Sequence, residues 1–479
     1  MTTISPAAPA VRTATSPQRT LPRSALFIAS VLALDGLCHA VWATGLTWPA
    51  SDEHHLSLAV LGFATSFGPG VVLPLAALLW TAAGLVVARG WLGRDHRFGW
   101  LWQLATLAVT IGVATRAAFG VVWAVVGFGA MPTVFAWINA LAYTPLCMVM
   151  AVCGWRLLGA GRAGRRVWGR AVAAVVPALL VCGTLTAAYG FPPKTQPYDP
   201  QRALGAVESR YVETPVARFH YLKEGSGTPV VLLSPGASWV NSWLPQLEAL
   251  KATHTVYVVD LPGQGFTSLK DHDFAFTLDG MTGAVDSFLD AVGVKSAALA
   301  GNSWSGGWAT AYAQRHPERV SSLMLLAPTV LDEPDPTSWE MLKLPVVGRA
   351  LTNLTVGSRS MTESAVRALF VHRERAAPEL VDGFWAAGTR PDNVRSMYEL
   401  EAGLDWSVTE RALPRTTQPT LVIWGRQDTV VPVAQARELG VRLPQAQVHV
   451  LDQCGHALTL DCPDQVDALM TGFLRARQQ

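Results

Sequence analysis

The chain is 479 residues long, half of them apolar and only 15% charged, against about 25% charged in an ordinary soluble protein; that length asks for more than one domain. A net charge of +2 conceals a split: residues 1–200 carry thirteen Lys/Arg against five Asp/Glu, the rest twenty-four against thirty. There is no phosphate-binding glycine loop, no dinucleotide fingerprint, no basic–aromatic patch and no Cys/His cluster at zinc spacing, so no nucleic acid, metal or organic cofactor is implied.

Residues 1–24, rich in Thr, Pro and Ala with three arginines and no acid, read as a disordered tail. Apolar segments follow at about 25–48, 71–88, 100–127, 132–155 and 171–190. Each approaches the roughly 20 helical residues that cross a hydrocarbon layer of ~30 Å. Residues 25–190 are therefore expected to form a transmembrane bundle of about five helices in a lipid bilayer. Arg12, Arg19 and Arg23 precede the first segment, and the loop Ser51-Asp52-Glu53-His54-His55 after it has no Lys or Arg. Arg89, Arg94 and Arg97 follow the second, residues 127–131 are uncharged, and Arg156, Arg162, Arg165, Arg166 and Arg170 lie between the fourth and fifth. Basic and non-basic loops alternate as expected when positive loops stay inside. Five crossings leave everything after about residue 190 on the extracytoplasmic side, and an even number reverses this. Asp35 and His39, four apart on one helical face, and Arg116 fall at membrane depth. Such charges either pair within the bundle or mark a proton path or ligand pocket.

Gly190-Phe191-Pro192-Pro193 closes the fifth segment, and Pro197 and Pro200 make 191–205 a stiff linker. From 206 to 479 the patterning is that of a soluble domain. "ARFHYLKEG" (217–225) alternates like a strand; "PVVLLS" (229–234), the run opening "TVYVVDLPGQG" (255–265), "SAALAGNS" (296–303), "SSLMLLAP" (321–328), "PTLVIWG" (419–425) and "AQVHVLD" (446–452) read as further strands. Helical patterns at 276–293 and after residue 305 fall between them. Strands alternating with helices predict an α/β domain with a doubly wound, mostly parallel sheet covered on both faces.

One strand runs through Gly301-Asn302-Ser303-Trp304-Ser305-Gly306 straight into a helix. That is the setting of a nucleophile elbow, a sharp turn that exposes a serine hydroxyl at the sheet edge and needs small residues on either side. Ser303 and Ser305 both satisfy the small-x-Ser-x-small pattern. The stretch resembles the α/β-hydrolase superfamily, in its serine-nucleophile esterase/lipase-like branch, whose following helix carries Ala ten, and His-Pro thirteen and fourteen, positions past the nucleophile. Counting from Ser303 reaches Ala313, His316 and Pro317, so the resemblance implies Ser303 as nucleophile and Ser305 as a tight-turn residue. A serine needs a base, and the base an orienting acid. "CGHALTLDCPDQV" is similar to the superfamily's Gly-His followed by an acid, a proline and a helix, implying His456. "VIWGRQDTVVP" looks like its strand-Gly-x-x-Asp loop, implying Asp428, with Asp332 in reserve. His220, His254, His316 and His449 read as structural, and Asp260 as fixing the turn after its strand.

The resemblance places one oxyanion donor on the Trp304 backbone and the other on the loop after "VVLLS". There Ser234-Pro235-Gly236-Ala237 replaces the usual His-Gly, leaving Ala237 as donor. Residues 330–414 interrupt two strands with a helical, apolar pattern, implying a cap whose underside forms the pocket. Cys454 and Cys462 bracket His456; they either pair as a disulfide or simply pack. The function implied is a membrane-anchored serine hydrolase acting on an apolar carboxylic ester or related acyl compound. The alternatives are an acyltransferase or C–C bond hydrolase with the same triad, and a membrane sensor or transport-linked protein with a non-catalytic hydrolase domain.

Overall fold

The computed structural model describes residues 20–50, 52–61, 68–126, 133–159, 181–190, 192–271, 273–333 and 337–477. The chain divides into two compact units, one within residues 1–59, 65–122 and 137–179, the other within 60–64, 123–136 and 180–479. Each is described by itself.

Among the described residues of the first unit, four helices are long and apolar enough to cross a membrane: α1 (Arg23–Trp42), α2 (Pro69–Leu92), Gly99–Val121 and Asn139–Leu158. Their large apolar side chains point outward, Leu34, Leu78 and Leu141 among them, which suits a lipid environment rather than water. After α1 comes a separate short helix, Glu53–Leu61. Of the fifth expected segment, residues 171–180 lie outside the described residues and 181–190 are helical. The charges at membrane depth are met locally. His39 Nδ1 lies 2.9 Å from the Asp35 carbonyl and 3.3 Å from its carboxylate. Arg116 donates to Asn139 Oδ1 at 2.8 Å, and Asn139 donates in turn to the Gly120 carbonyl at 3.2 Å. Arg89 Nε, also buried, donates to Gln103 Oε1 at 2.6 Å. These contacts favour the structural reading of the polar residues over a conduit.

The second unit holds a nine-stranded sheet: β1 (Arg210–Glu213), β2 (Ala217–Gly225), β3 (Thr228–Leu233), β4 (His254–Val259), β5 (Ser268–Leu269), β6 (Ala297–Asn302), β7 (Val320–Leu326), β8 (Thr420–Gly425) and β9 (Ala446–Leu451). Its order is β1-β2-β4-β3-β6-β7-β8-β9, with β5 beside β2. Pairings from β4 through β9 are parallel, and those of β1, β2 and β5 are antiparallel. The reason is visible in the side chains. Val230, Val231, Leu232 and Leu233 on β3, and Leu421, Val422, Ile423 and Trp424 on β8, are 0–1% exposed, so both faces of these strands need cover that crossover helices supply. β2 alternates and sits near the edge. The apolar core runs continuously from Leu204 to Leu474. Between β7 and β8 the chain leaves the sheet for a helical insertion that includes α3 (Pro345–Val356), α4 (Arg359–Ala368), α5 (Pro378–Gly388) and α6 (Pro391–Gly403). The sheet is the mixed, mostly parallel one that the sequence pattern predicts.

Candidate active site

β6 ends at Asn302, and the helix Trp304–Arg315 begins two residues later. Between them Ser303 has φ 60° and ψ −129°, a left-handed backbone that an L-residue adopts at a cost of order 1–3 kcal/mol. The strain is held by its neighbours: Ser303 N–H donates to the Leu326 carbonyl at 3.0 Å, and the Ser303 carbonyl accepts from Gly306 N–H at 3.0 Å. A Cβ at Gly301 would collide with the backbone of Ser305 and Gly306, so the turn tolerates only glycine there. Ser305 is fully buried. Its hydroxyl donates toward the Leu233 and Asn302 carbonyls at 3.0 and 2.9 Å and accepts from Asn302 N–H at 2.9 Å. It ties the elbow to β3 and is consumed in doing so, whereas Ser303 faces a cavity.

Asp428 and His456 arrive on the loops after β8 and β9. Asp428, its side chain fully buried, sits with Oδ2 2.8 Å from His456 Nδ1. Its other oxygen accepts from Val430 and Val431 N–H at 2.8 and 2.9 Å. Two backbone donors fix the carboxylate, and the carboxylate fixes the ring. Ser303, His456, Trp304 and Ala237 all line one cavity of about 600 Å³, roofed by α3 to α6 residues including Phe384 and Met397. No Ser303–His456 hydrogen bond is formed among the described residues; catalytic bonds of this kind commonly tighten only when substrate binds. Ala237 takes φ 56°, and a Cβ on its neighbour Gly236 would strike the Trp304 ring, so the Ser234–Ala237 loop lies against the elbow.

The other candidates go elsewhere. Asp332 is exposed, its N–H bonded to Glu410 at 2.8 Å. Asp260 accepts from Ser234 Oγ at 2.7 Å and Phe266 N–H at 3.0 Å and pairs with buried His220 at 2.7 Å, which fixes both its own turn and the start of the Ser234 loop. Burial pushes the His254 imidazole below its ordinary value, and His316 stacks on Tyr312.

Cys454 and Cys462 are joined as a disulfide, which closes the loop carrying His456. Sequence reasoning missed what else holds that loop. Asp461, 1% exposed, accepts from Gly455 N–H at 2.7 Å and from Val371 and His372 N–H at 3.0 Å each. Ala457 N–H adds a bond to the Leu369 carbonyl at 3.1 Å. The histidine loop is thereby stitched to the helical insertion. The motif marked an acid at this position but not its partners, which lie some 90 residues away.

Comparison with known proteins agrees with this architecture. Residues 228–463 match a family described as alpha/beta hydrolase fold, and residues 32–154 match one described as a protein of unknown function (DUF3995). A 2-hydroxy-6-oxo-6-phenylhexa-2,4-dienoate hydrolase of Comamonas testosteroni is 29% identical over 268 residues, 54% of this chain and 91% of the relative. A monoacylglycerol lipase of Xenopus laevis is 27% identical over 291 residues, 58% of this chain and 85% of the relative. Among solved structures, a membrane phospholipase A described as a bacterial virulence factor superposes with a TM-score of 0.51 at 24% identity, covering 65% of this chain and 97% of that one. At that identity the likeness speaks for the fold.

Proposed function

We propose, from a C-terminal domain that belongs to the α/β-hydrolase fold, that this chain is a membrane-bound serine hydrolase cleaving a carboxylic ester of an apolar substrate. Ser303 Oγ attacks the acyl carbon while His456 takes its proton; the tetrahedral oxyanion rests on the N–H groups of Trp304 and Ala237. His456 then gives the proton to the departing alcohol as the acyl C–O bond breaks. Water, deprotonated by the same imidazole, attacks the acyl-Ser303 carbon and releases the acid and the free serine. Asp428 keeps the ring in the tautomer that accepts at Nε2 and stabilises the imidazolium.

The observation that carries this reading is the 2.8 Å His456–Asp428 bond beside the cavity that Ser303 lines. A fluorophosphonate probe is expected to label the folded chain at Ser303, and p-nitrophenyl esters of graded chain length to be turned over. A folded chain that takes no label sinks the proposal.

A second reading, hydrolysis of a C–C bond by the same residues, draws support from two Comamonas testosteroni hydrolases, one of a hydroxy-oxo-dienedioate or -trienedioate and one of a hydroxy-oxo-dienoate, at 28 and 29% identity. The cavity chemistry weighs against it. Among its described lining residues there is no Lys or Arg, so a carboxylate-bearing dienoate would shed its hydration without gaining a cation. Turnover of such a dienoate faster than of any ester would reverse the preference.

The domain belongs, in this proposal, on the extracytoplasmic side. Support comes from the alternation of basic loops, from five crossings when residues 171–190 are counted, and from a disulfide of the kind that persists in oxidising compartments. A phosphatase reporter fused to the C-terminus is expected to be active; a fusion silent there, with a cytoplasmic reporter active instead, reverses the assignment.

A further inference from the structure

Helix α3 is built the wrong way round for a surface helix in water. Gly348, Ala350, Thr352 and Asn353 are buried, with Thr352 and Asn353 4 and 5% exposed. Leu344 and Leu354 are 53 and 56% exposed, and Val347 and Leu351 partly so. Positions 347, 351 and 354 follow the i, i+4, i+7 spacing that puts them on one helical face, and Leu344 sits at the residue just before the helix. An amphipathic helix facing water shows the reverse arrangement. Single exposed leucines need no explanation, but a continuous apolar stripe does.

The inward polar residues show what the stripe adjoins. Asn353 Nδ2 donates to the carbonyls of Ala187 and Ala188, both at 3.0 Å. These belong to the helical stretch 181–190, the end of the last apolar segment before the linker. That stretch packs on α3 and is also apolar outward, with Val181 58%, Leu185 43% and Tyr189 55% exposed. Arg349 lies over the Tyr189 ring at 4.7 Å. An aromatic ring with a long basic side chain beside a greasy face is the combination favoured where hydrocarbon meets headgroups. At its far end α3 turns from surface to site, since Thr355 and Val356 line the cavity that holds Ser303 and His456. One helix thus presents apolar side chains outward and a cavity wall inward.

We propose that the outer face of α3, together with the Tyr189 end of the 181–190 stretch, lies in the interfacial layer of the bilayer, and that the substrate is an acyl-ester lipid drawn from that layer into the cavity. The substrate part rests on the serine-hydrolase reading; the membrane contact does not. The occupant follows from continuity: the face extends a segment whose length and apolarity suit a bilayer, in a chain with four further helices of that kind. A cavity lined without Asp, Glu, Lys or Arg among its described residues suits acyl chains.

Two measurements on the full chain in phosphatidylcholine–phosphatidylglycerol vesicles test this. A photo-crosslinking amino acid in place of Leu354 is expected to form phospholipid adducts at least ten-fold above the same group in place of Val441, which is 81% exposed on the helix Ala434–Arg442. Equal yields at the two positions overturn the membrane contact, whether or not the chain is an enzyme. The double variant Leu344→Ser with Leu354→Ser is expected to hydrolyse a long-chain ester held in the vesicles at least ten-fold more slowly, while a soluble short-chain ester changes less than two-fold. Equal effects on both esters overturn the delivery route. If the unsubstituted chain turns over neither ester, the hydrolase reading fails and the adduct yield still decides the surface.

Discussion

Alanine at position 303 is expected to lower kcat by at least about 10³-fold, and by as much as roughly 10⁶ if it behaves like other triad serines. The chain should still fold. Among the described residues the Ser303 hydroxyl donates to nothing, so removing it breaks no bond that the domain relies on, whereas losing the Ser305 hydroxyl would. The companion variant Ser303→Gly separates chemistry from strain. Glycine adopts φ 60°, ψ −129° freely, so relief of a cost of order 1–3 kcal/mol outweighs the roughly 0.5–1 kcal/mol of extra chain entropy. It should be as inactive as the alanine variant, with its C-terminal domain unfolding at a higher temperature. More than a tenth of wild-type activity in either variant removes Ser303 from the mechanism. A glycine variant less stable than the alanine one removes the argument from strain.

Asp428→Asn is expected to reduce kcat by about 10⁴-fold with little change in KM. The amide oxygen can still accept from Val430 and Val431 N–H, so the loop keeps its shape. Its NH₂ group then faces His456 Nδ1 and forces the proton onto Nε2, the nitrogen that must accept from the serine. Asp332→Asn is the matched control, being exposed and away from the cavity; less than a two-fold change is expected. A ratio near unity between the two variants would strip Asp428 of its role.

Much of the architecture is legible in the residues alone. The buried strands announce themselves because both faces must be apolar, so "VVLL" and "LVIW" carry their own burial. The elbow is legible because strand, turn and helix follow without a linker, and the residues that flank it must be small. Asp428 and His456 stand out only through the likeness of their motifs to a known family, since Asp260 too directly follows a strand. The rest is opaque for a physical reason. Asp461 acts through amides of Val371 and His372, and backbone donors carry no residue signature. The separation of Cys454 and Cys462 permits a bridge without requiring one. The polar-in, apolar-out arrangement of α3 is hidden too, since "VVGRALTNLTV" holds apolar residues on several sides and only packing decides which are covered.

One carboxylate, that of Asp461, is satisfied jointly by Gly455 from the His456 loop and by Val371 and His372 from the insertion. A buried acceptor left without its donors costs about 1–3 kcal/mol, so displacing the insertion would leave the Asp461 carboxyl short of two of its three bonds. Insertion and histidine loop are therefore held as one piece. On the proposed mechanism, a chain whose insertion swings away is expected to lose the setting of its imidazole with it.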